Sequence, residues 1–352
     1  MRLHRRTWRI GLAIGGTAIV TACASSPAAV GSGNSGNAGD SGAPGKMTSV
    51  SFTLNYLPGG AQAGFMYGKS LGIFSKAGIN LTIIPGSGSL TTAELVANGK
   101  ADLAYVDAPT AFSVAARGGA ITVVAPILQV NGFAIIALKD SGITSIKDLA
   151  GKRLGVIPGL APTVLLPAVL SANGVPMSSV HQVNMQSSSQ LGALLQHRVD
   201  AIVAAGDVQG PQLLERGSQI TQFFYYANGV PTVGESIVAN TDFLKTHGAL
   251  VKAFVKASLE SWVQTRANPS AAAAAVAQQF PEEGTASQEL DQIKVDLKLL
   301  CAAPGATHMA QVPGDVWSRN QSLLIKYDNL PASTKVTDDV ATGYLPSSLP
   351  AC

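Results

Sequence analysis

Asn55-Tyr56-Leu57-Pro58-Gly59-Gly60-Ala61-Gln62-Ala63-Gly64-Phe65-Met66-Tyr67-Gly68-Lys69-Ser70-Leu71-Gly72-Ile73-Phe74, closed by Ala77-Gly78-Ile79-Asn80-Leu81-Thr82-Ile83-Ile84, reads as polar turn, helix, then strand. Ser51 to Leu54, just upstream, alternates and is rich in strand formers, while Pro58-Gly59-Gly60 can continue neither a strand nor a helix. The turn therefore sits at a strand's C-terminal end. In an open α/β sheet that edge is where ligands bind, because the following helix offers unpaired N–H groups and neighbouring loops wall the crevice. Asn55, Tyr56 and Gln62 are the polar groups placed there. The stretch is expected to be a ligand cradle; the competing reading is an ordinary βα loop.

Outward from it the alternation continues. Strands at 49–54, 80–84, 103–106 and 121–128 are separated by helices near 62–73, 90–98 and 109–117, which is α/β with a mostly parallel sheet. Gly132 to Leu138 is a further strand and the first crossing into a second series. There Ser145 caps a short helix with Asp148 at its third position. Strands at 153–157, 180–184, 200–204 and 220–226 then alternate with helices near 162–172, 189–196 and 209–215. The two series look like copies. Gly99-Lys100-Ala101-Asp102-Leu103-Ala104-Tyr105-Val106-Asp107 and His197-Arg198-Val199-Asp200-Ala201-Ile202-Val203-Ala204-Ala205-Gly206-Asp207 each carry a helix end, an aspartate, a buried strand and an acid at its exit. Upstream of each lies a small polar loop, Gly86-Ser87-Gly88-Ser89 and Ser187-Ser188-Ser189. Glu235 to Asn240 is a return strand, and the rest is helical. Asn268-Pro269 starts one helix, and Thr285-x-x-Gln288 opens another with the apolar stripe Leu290, Ile293, Leu297 and Leu300. The expected organisation is two lobes, 47–135 with 238–352 and 136–237, joined by two crossover segments, with the C-terminal helices packed on the first lobe.

The chain has 352 residues, 46% hydrophobic and 13% charged, a balance too apolar for disorder and enough for two cores. Arg2, Arg5, Arg6 and Arg9 precede the apolar run Ile10 to Val20, too short to span a bilayer, so residues 1–22 read as an export signal. Arg5-Arg6 leaves a twin-arginine route open beside the general one. Val20-Thr21-Ala22-Cys23 resembles the lipobox of bacterial lipoproteins, which implies a lipid (palmitate) anchor on Cys23 and a location on the outer face of the cell membrane. Residues 24–46, almost wholly Ser, Gly, Ala, Asn and Pro, read as a flexible tether. The signal takes four arginines and no acid from 24 basic and 21 acidic residues, which turns a formal net charge of +3 into −1. No basic cluster remains, so nucleic acid is not an expected partner. With Cys23 assigned to lipid, Cys301 and Cys352 remain, and an oxidising compartment favours their pairing over two free thiols.

Asn55-Tyr56-x-Pro58, the Ala63-Gly64 helix start, Leu71-Gly72-Ile73-Phe74-x-x-Ala77-Gly78-Ile79, Asp102 with Asp107-Ala108-Pro109, Ser145-Ile146-Lys147-Asp148-Leu149-x-Gly151-Lys152-Arg153-Leu154-Gly155-Val156 and Val199-Asp200-Ala201 follow one another in order. Together they resemble the thiamine-precursor and alkanesulfonate family of solute-binding proteins of ABC importers. The resemblance implies a two-lobed, type II periplasmic-binding-protein-like fold, each lobe a mixed sheet flanked by helices. It also implies a monomeric receptor that closes on a small molecule by a hinge and delivers it to an ABC permease, with no cofactor and no catalysis. The family's cargoes are pyrimidine precursors of thiamine, flavins, and sulfonates, taurine or nitrate. The first loop is closest to the pyrimidine branch, with two departures: Tyr56 stands for a Trp and Gln62 for a His. The missing imidazole argues against the pyrimidine synthases of the same superfamily.

Strand exits and helix starts name the candidate ligand-binding residues: Asn55, Tyr56, Gln62, Ser87, Gly88, Ser89, Asp107, Thr110, Pro158, Gly159, Thr163, Ser187, Ser188, Asp207, Tyr225 and Glu235. Gly and Ser at a helix start can hold an oxyanion. Asp107, Asp207 and Glu235 at the same edge, with no arginine beside them, instead favour a neutral or cationic ring with amino donors. His181, His197, His247 and His308 are scattered and suggest no metal site, and no Gly-x-Ser-x-Gly elbow occurs.

Overall fold

The computed structural model describes residues 47–352; the signal segment, Cys23 and the tether lie outside the described residues. Burial along a strand tells whether one face or both are covered. Ile79, Leu81 and Ile83 are covered while Asn80, Thr82 and Ile84 are exposed, whereas Leu103–Asp107 is buried throughout, as helices on both faces require.

The strands are β1 (Thr48–Thr53), β2 (Ile79–Ile84), β3 (Leu103–Asp107), β4 (Ile121–Pro126), β5 (Phe133–Leu138), β6 (Arg153–Val156), β7 (His181–Asn184), β8 (Ala201–Ala205), β9 (Ile220–Phe224) and β10 (Glu235–Asn240). They form two five-stranded sheets, ordered β2-β1-β3-β10-β4 and β7-β6-β8-β5-β9. The sheets repeat one plan: β1 pairs parallel with β2 and β3, and β6 with β7 and β8. Each is completed by a strand arriving from the other sheet, β10 between β3 and β4 and β5 between β8 and β9, antiparallel to both neighbours. Each sheet is therefore mixed: four strands run parallel and the strand that crosses over runs against them.

Strand pairing places the crossings between Pro126 and Phe133 and between Phe224 and Glu235, upstream of divisions at 135/136 and 237/238. The two crossing segments bond to each other, Asn131 N–H to Thr232 O at 2.9 Å and Gly234 N–H to Leu128 O at 3.0 Å.

The helices are α1 (Ala63–Ser70), α2 (Ile73–Lys76), α3 (Ser89–Ala97), α4 (Ala108–Ala116), α5 (Ala161–Val164), α6 (Leu166–Ala172), α7 (Ser187–Leu195), α8 (Gln209–Glu215), α9 (Thr241–Ala267, broken at His247), α10 (Pro269–Gln279), α11 (Ala286–Leu299) and α12 (Gly314–Tyr327). The single helix expected at 62–73 is two, because Gly72 takes a left-handed φ of 69° and turns the chain. None of the described helices is long and apolar enough to cross a membrane. One core under the first sheet joins Phe52, Phe65, Tyr105 and Phe254, with Phe52 and Phe65 ring centroids 4.6 Å apart. A second runs continuously from the first sheet into the other and takes in Trp317 of α12, which meets Phe112 edge-on at 5.8 Å. The C-terminal helices thus pack on more than the first lobe, since α12 also meets α6. Cys301 and Cys352 are disulfide-bonded, with Cα atoms 5.7 Å apart.

Asn240 ties the return strand to its surroundings. Its Oδ1 accepts the Asp242 and Phe243 N–H groups to cap α9, and its Nδ2 donates to Val96 O at 2.9 Å and Ala120 O at 3.2 Å. Asn240→Ala should cost about 2 kcal/mol, the sum of a lost cap and carbonyls left unpaired. Urea denaturation measures it, and a change below about 0.5 kcal/mol would contradict this role.

Candidate functional site

A cavity of about 180 Å³ is lined by the facing ends of both sheets. It is sized for a small molecule, below the roughly 300 Å³ at which drug-sized sites begin. Its first wall is the loop after β1. Gly60 passes so close to α11 that a Cβ there would lie 2.2 Å from Glu289 O, and its N–H is donated to the Glu289 carboxyl. Buried Gln62 accepts Gly59 N–H at 3.1 Å through Oε1 and donates to Asn55 Oδ1 at 2.9 Å through Nε2. Gln62 thus shapes the loop, and the Asn55 Nδ2 is left to donate. Half-buried Tyr56 also lines the cavity, and its carbonyl accepts Gly86 N–H at 3.0 Å. That bond brings up the turn Ser87-Gly88 and Ser89, the first residue of α3.

Asp107 ends β3 and caps α4. Its two oxygens accept Thr110 N–H and Thr110 Oγ1–H, each at 2.9 Å, so much of its hydrogen-bonding capacity is spent on the fold. Burial pushes its carboxyl up, with the Thr110 and Ser89 bonds opposing. From the second sheet come Thr163, Ser187, Asp207 and the apolar Ile157, Leu160 and Val203; Glu235 arrives at the start of β10.

Four candidates are not brought to the cavity. Pro158 and Gly159 are exposed in the turn after β6, where Gly159 has φ 81°. Ser188 follows Ser187 by one helical step of about 100°, which turns it to solvent. Tyr225 is core: its ring meets Phe133 edge-on and its hydroxyl donates to Pro162 O at 2.9 Å. Residues not expected but present are Gln190, whose Nε2 donates to Val203 O at 2.7 Å, and Gln209, whose Oε1 accepts Ala205 N–H at 3.0 Å. Gln190 lies three residues after Ser187, a helical spacing that could have found it.

Behind the cavity Asp296 of α11 and Tyr105 of β3, both fully buried, join Asp207 and Glu235. Asp207 Oδ1, Glu235 Oε2, both Asp296 oxygens and the Tyr105 hydroxyl are buried with no conventional partner. Asp207 and Asp296 lie close enough to act on each other's ionisation. Burial pushes Asp207 up to about 6. Burial, and then the neighbouring carboxylates, raise Glu235 and Asp296 well above the usual carboxyl range. No lysine, arginine or histidine lines the cavity. Among the described residues no group of three His, Cys, Asp or Glu is arranged to hold a metal ion.

Comparison with known proteins places this geometry in a family. A thiamine biosynthesis protein of Haemophilus influenzae is 27% identical over 223 residues, 62% of this chain and 70% of its own. A 4-amino-5-hydroxymethyl-2-methylpyrimidine phosphate synthase of Legionella pneumophila is 29% identical over 108 residues, 31% of this chain and 34% of its own. The periplasmic aliphatic sulphonate binding protein SsuA of Escherichia coli shares the fold, with a TM-score of 0.68 over 83% of this chain and 96% of its own at 16% identity. The fold is that of periplasmic binding proteins, two mixed sheets flanked by helices. The NMT1/THI5-like family model matches residues 61–272, more than half of the sequence, and the chain belongs to that family.

Proposed function

We propose that the protein is an extracytoplasmic solute receptor, anchored by lipid on Cys23, that closes its two lobes on a small amino-substituted ring such as a pyrimidine precursor of thiamine and hands it to an ABC permease. The observation that carries this reading is the composition of the cavity wall: buried acceptors from both lobes, a half-buried tyrosine ring, and no basic residue. Acceptors suit ring amino groups, and Tyr56 offers a stacking face. A sulfonate or nitrate would meet carboxyls and no cation, which is unfavourable despite the shared fold. Hinge closure draws on contacts made only when the walls meet.

A synthase reading is favoured by the names of some relatives. Against it, Gln62 holds Gly59 and Asn55 at the position where the resemblance expects a histidine. Thermal-shift and native mass spectrometry with pyrimidines, flavins, taurine and nitrate test the proposal. One-to-one binding of a pyrimidine without turnover is expected; product formation would reinstate the enzyme. Tyr56→Ala should lose about 1 to 3 kcal/mol of affinity through the lost stacking face. Asp107→Ala is the poorer probe, because it also uncaps α4.

A further inference from the structure

We infer that the inner end of the cavity is a cation subsite, in which Asp207 and Glu235 receive a protonated amine or amidinium of the ligand. This rests on the receptor reading and narrows the ligand to one with a positive charge. Asp207 comes from the loop after β8 and Glu235 from the first residue of β10, so the two carboxyls approach from different sheets. Each lines the cavity, is more than nine-tenths buried, and keeps one oxygen without a partner.

The crossing backbone is shaped for the approach, since a Cβ on Gly132 would lie 2.5 Å from Asp207 Oδ1. Every titratable group facing the pair is acidic or neutral: Tyr105 and Asp107 from β3, and Asp296 from α11. The field at this end therefore attracts cations. Asp296 lies on α11, beyond the residues 61–272 that the family model matches.

Without a ligand, burial favours the protonated form of these crowded carboxyls. A cation binds the ionised forms, so the protons pass to solvent as it enters. Affinity then rises with pH until the carboxyls ionise unaided.

The test uses matched amine and alcohol pairs on two scaffolds, benzylamine with benzyl alcohol, and 4-amino-5-aminomethyl-2-methylpyrimidine with its 5-hydroxymethyl analogue. Calorimetry in two buffers of different ionisation enthalpy reads affinity and proton release together. The amine of a pair should bind about tenfold tighter than its alcohol, tighten between about pH 5.5 and 7.5, and release protons. Asp207→Asn and Glu235→Gln should each erase the amine's advantage. If the hydroxymethylpyrimidine binds as well as its amine, the cation subsite is wrong while the pyrimidine reading stands. If benzylammonium binds and both pyrimidines fail, the subsite stands and the pyrimidine reading falls. Binding by none of the four overturns the subsite, as does an amine advantage that survives both substitutions.

Discussion

Raising the pH from about 5 to about 8 is expected to lower the stability of the ligand-free protein by at least about 3 kcal/mol. Glu289 alone accounts for about this much: it is 1% exposed, and burial, the dominant cause, raises its carboxyl to about 7 against the opposing pull of the Gly60 N–H. Between its value in the unfolded chain and its raised value in the fold, the native state binds the extra proton. Stability therefore falls as pH climbs through that interval, by about 1.4 kcal/mol per unit. About two units of the interval lie above pH 5. Asp207, raised to about 6, and the higher Glu235 and Asp296 act in the same direction. Asp148 and Asp200, whose carboxyls are held down by hydrogen bonds and by Arg153 respectively, titrate below the window and do not offset the trend. Urea denaturation at the two pH values measures the difference. Glu289→Gln, which keeps an acceptor for Gly60, should remove much of it. A wild-type stability that is flat or increasing over this range would contradict the buried-carboxyl description.

Trp262→Ala should cost about 3 to 5 kcal/mol, the range for deleting a buried aromatic side chain. Trp262 lies in α9, is fully buried, and meets Phe65 of α1 edge-on at 6.2 Å. Gly64 makes room for it: a Cβ on Gly64 would lie 2.4 Å from the indole. The indole N–H has no partner, so the loss is one of packing and leaves no stranded acceptor. Because α1 follows directly from the Asn55–Gln62 loop, ligand affinity should fall together with stability. Guanidinium denaturation reads the first effect and calorimetry the second. A loss below about 1 kcal/mol would mean that α1 is held by something other than this contact.

Most of the architecture was legible because its signals are local. Pro58-Gly59-Gly60 breaks the chain between a strand and a helix whatever surrounds it, and Thr285-x-x-Gln288 forms its capping box within one turn. The repeated exits at Asp107 and Asp207 marked both walls of one cavity. The reading failed where a residue's role depends on a distant partner. Tyr225 looked like a strand-exit residue, and Phe133 and Pro162 make it core.

The clearest case is α11. An apolar stripe of Leu290, Ile293, Leu297 and Leu300 was expected, yet Leu290 and Leu297 are only half-buried while Glu289, Gln292 and Asp296 are buried. A hydrophobic pattern assumes an apolar neighbour. Here the neighbour is the backbone of Gly60 and the carboxyl of Asp207, supplied by chain 229 residues away in the first case. The sequence by itself determined the order of strands and helices, the turn chemistry of the first loop and the doubling of the βα plan, all of which rest on contacts within a few residues. Only the tertiary structure decided which acids share one buried site and which half of each crossing pairs with which sheet. Burial and charge proximity are properties of the assembled lobes, and no stretch of chain carries them alone.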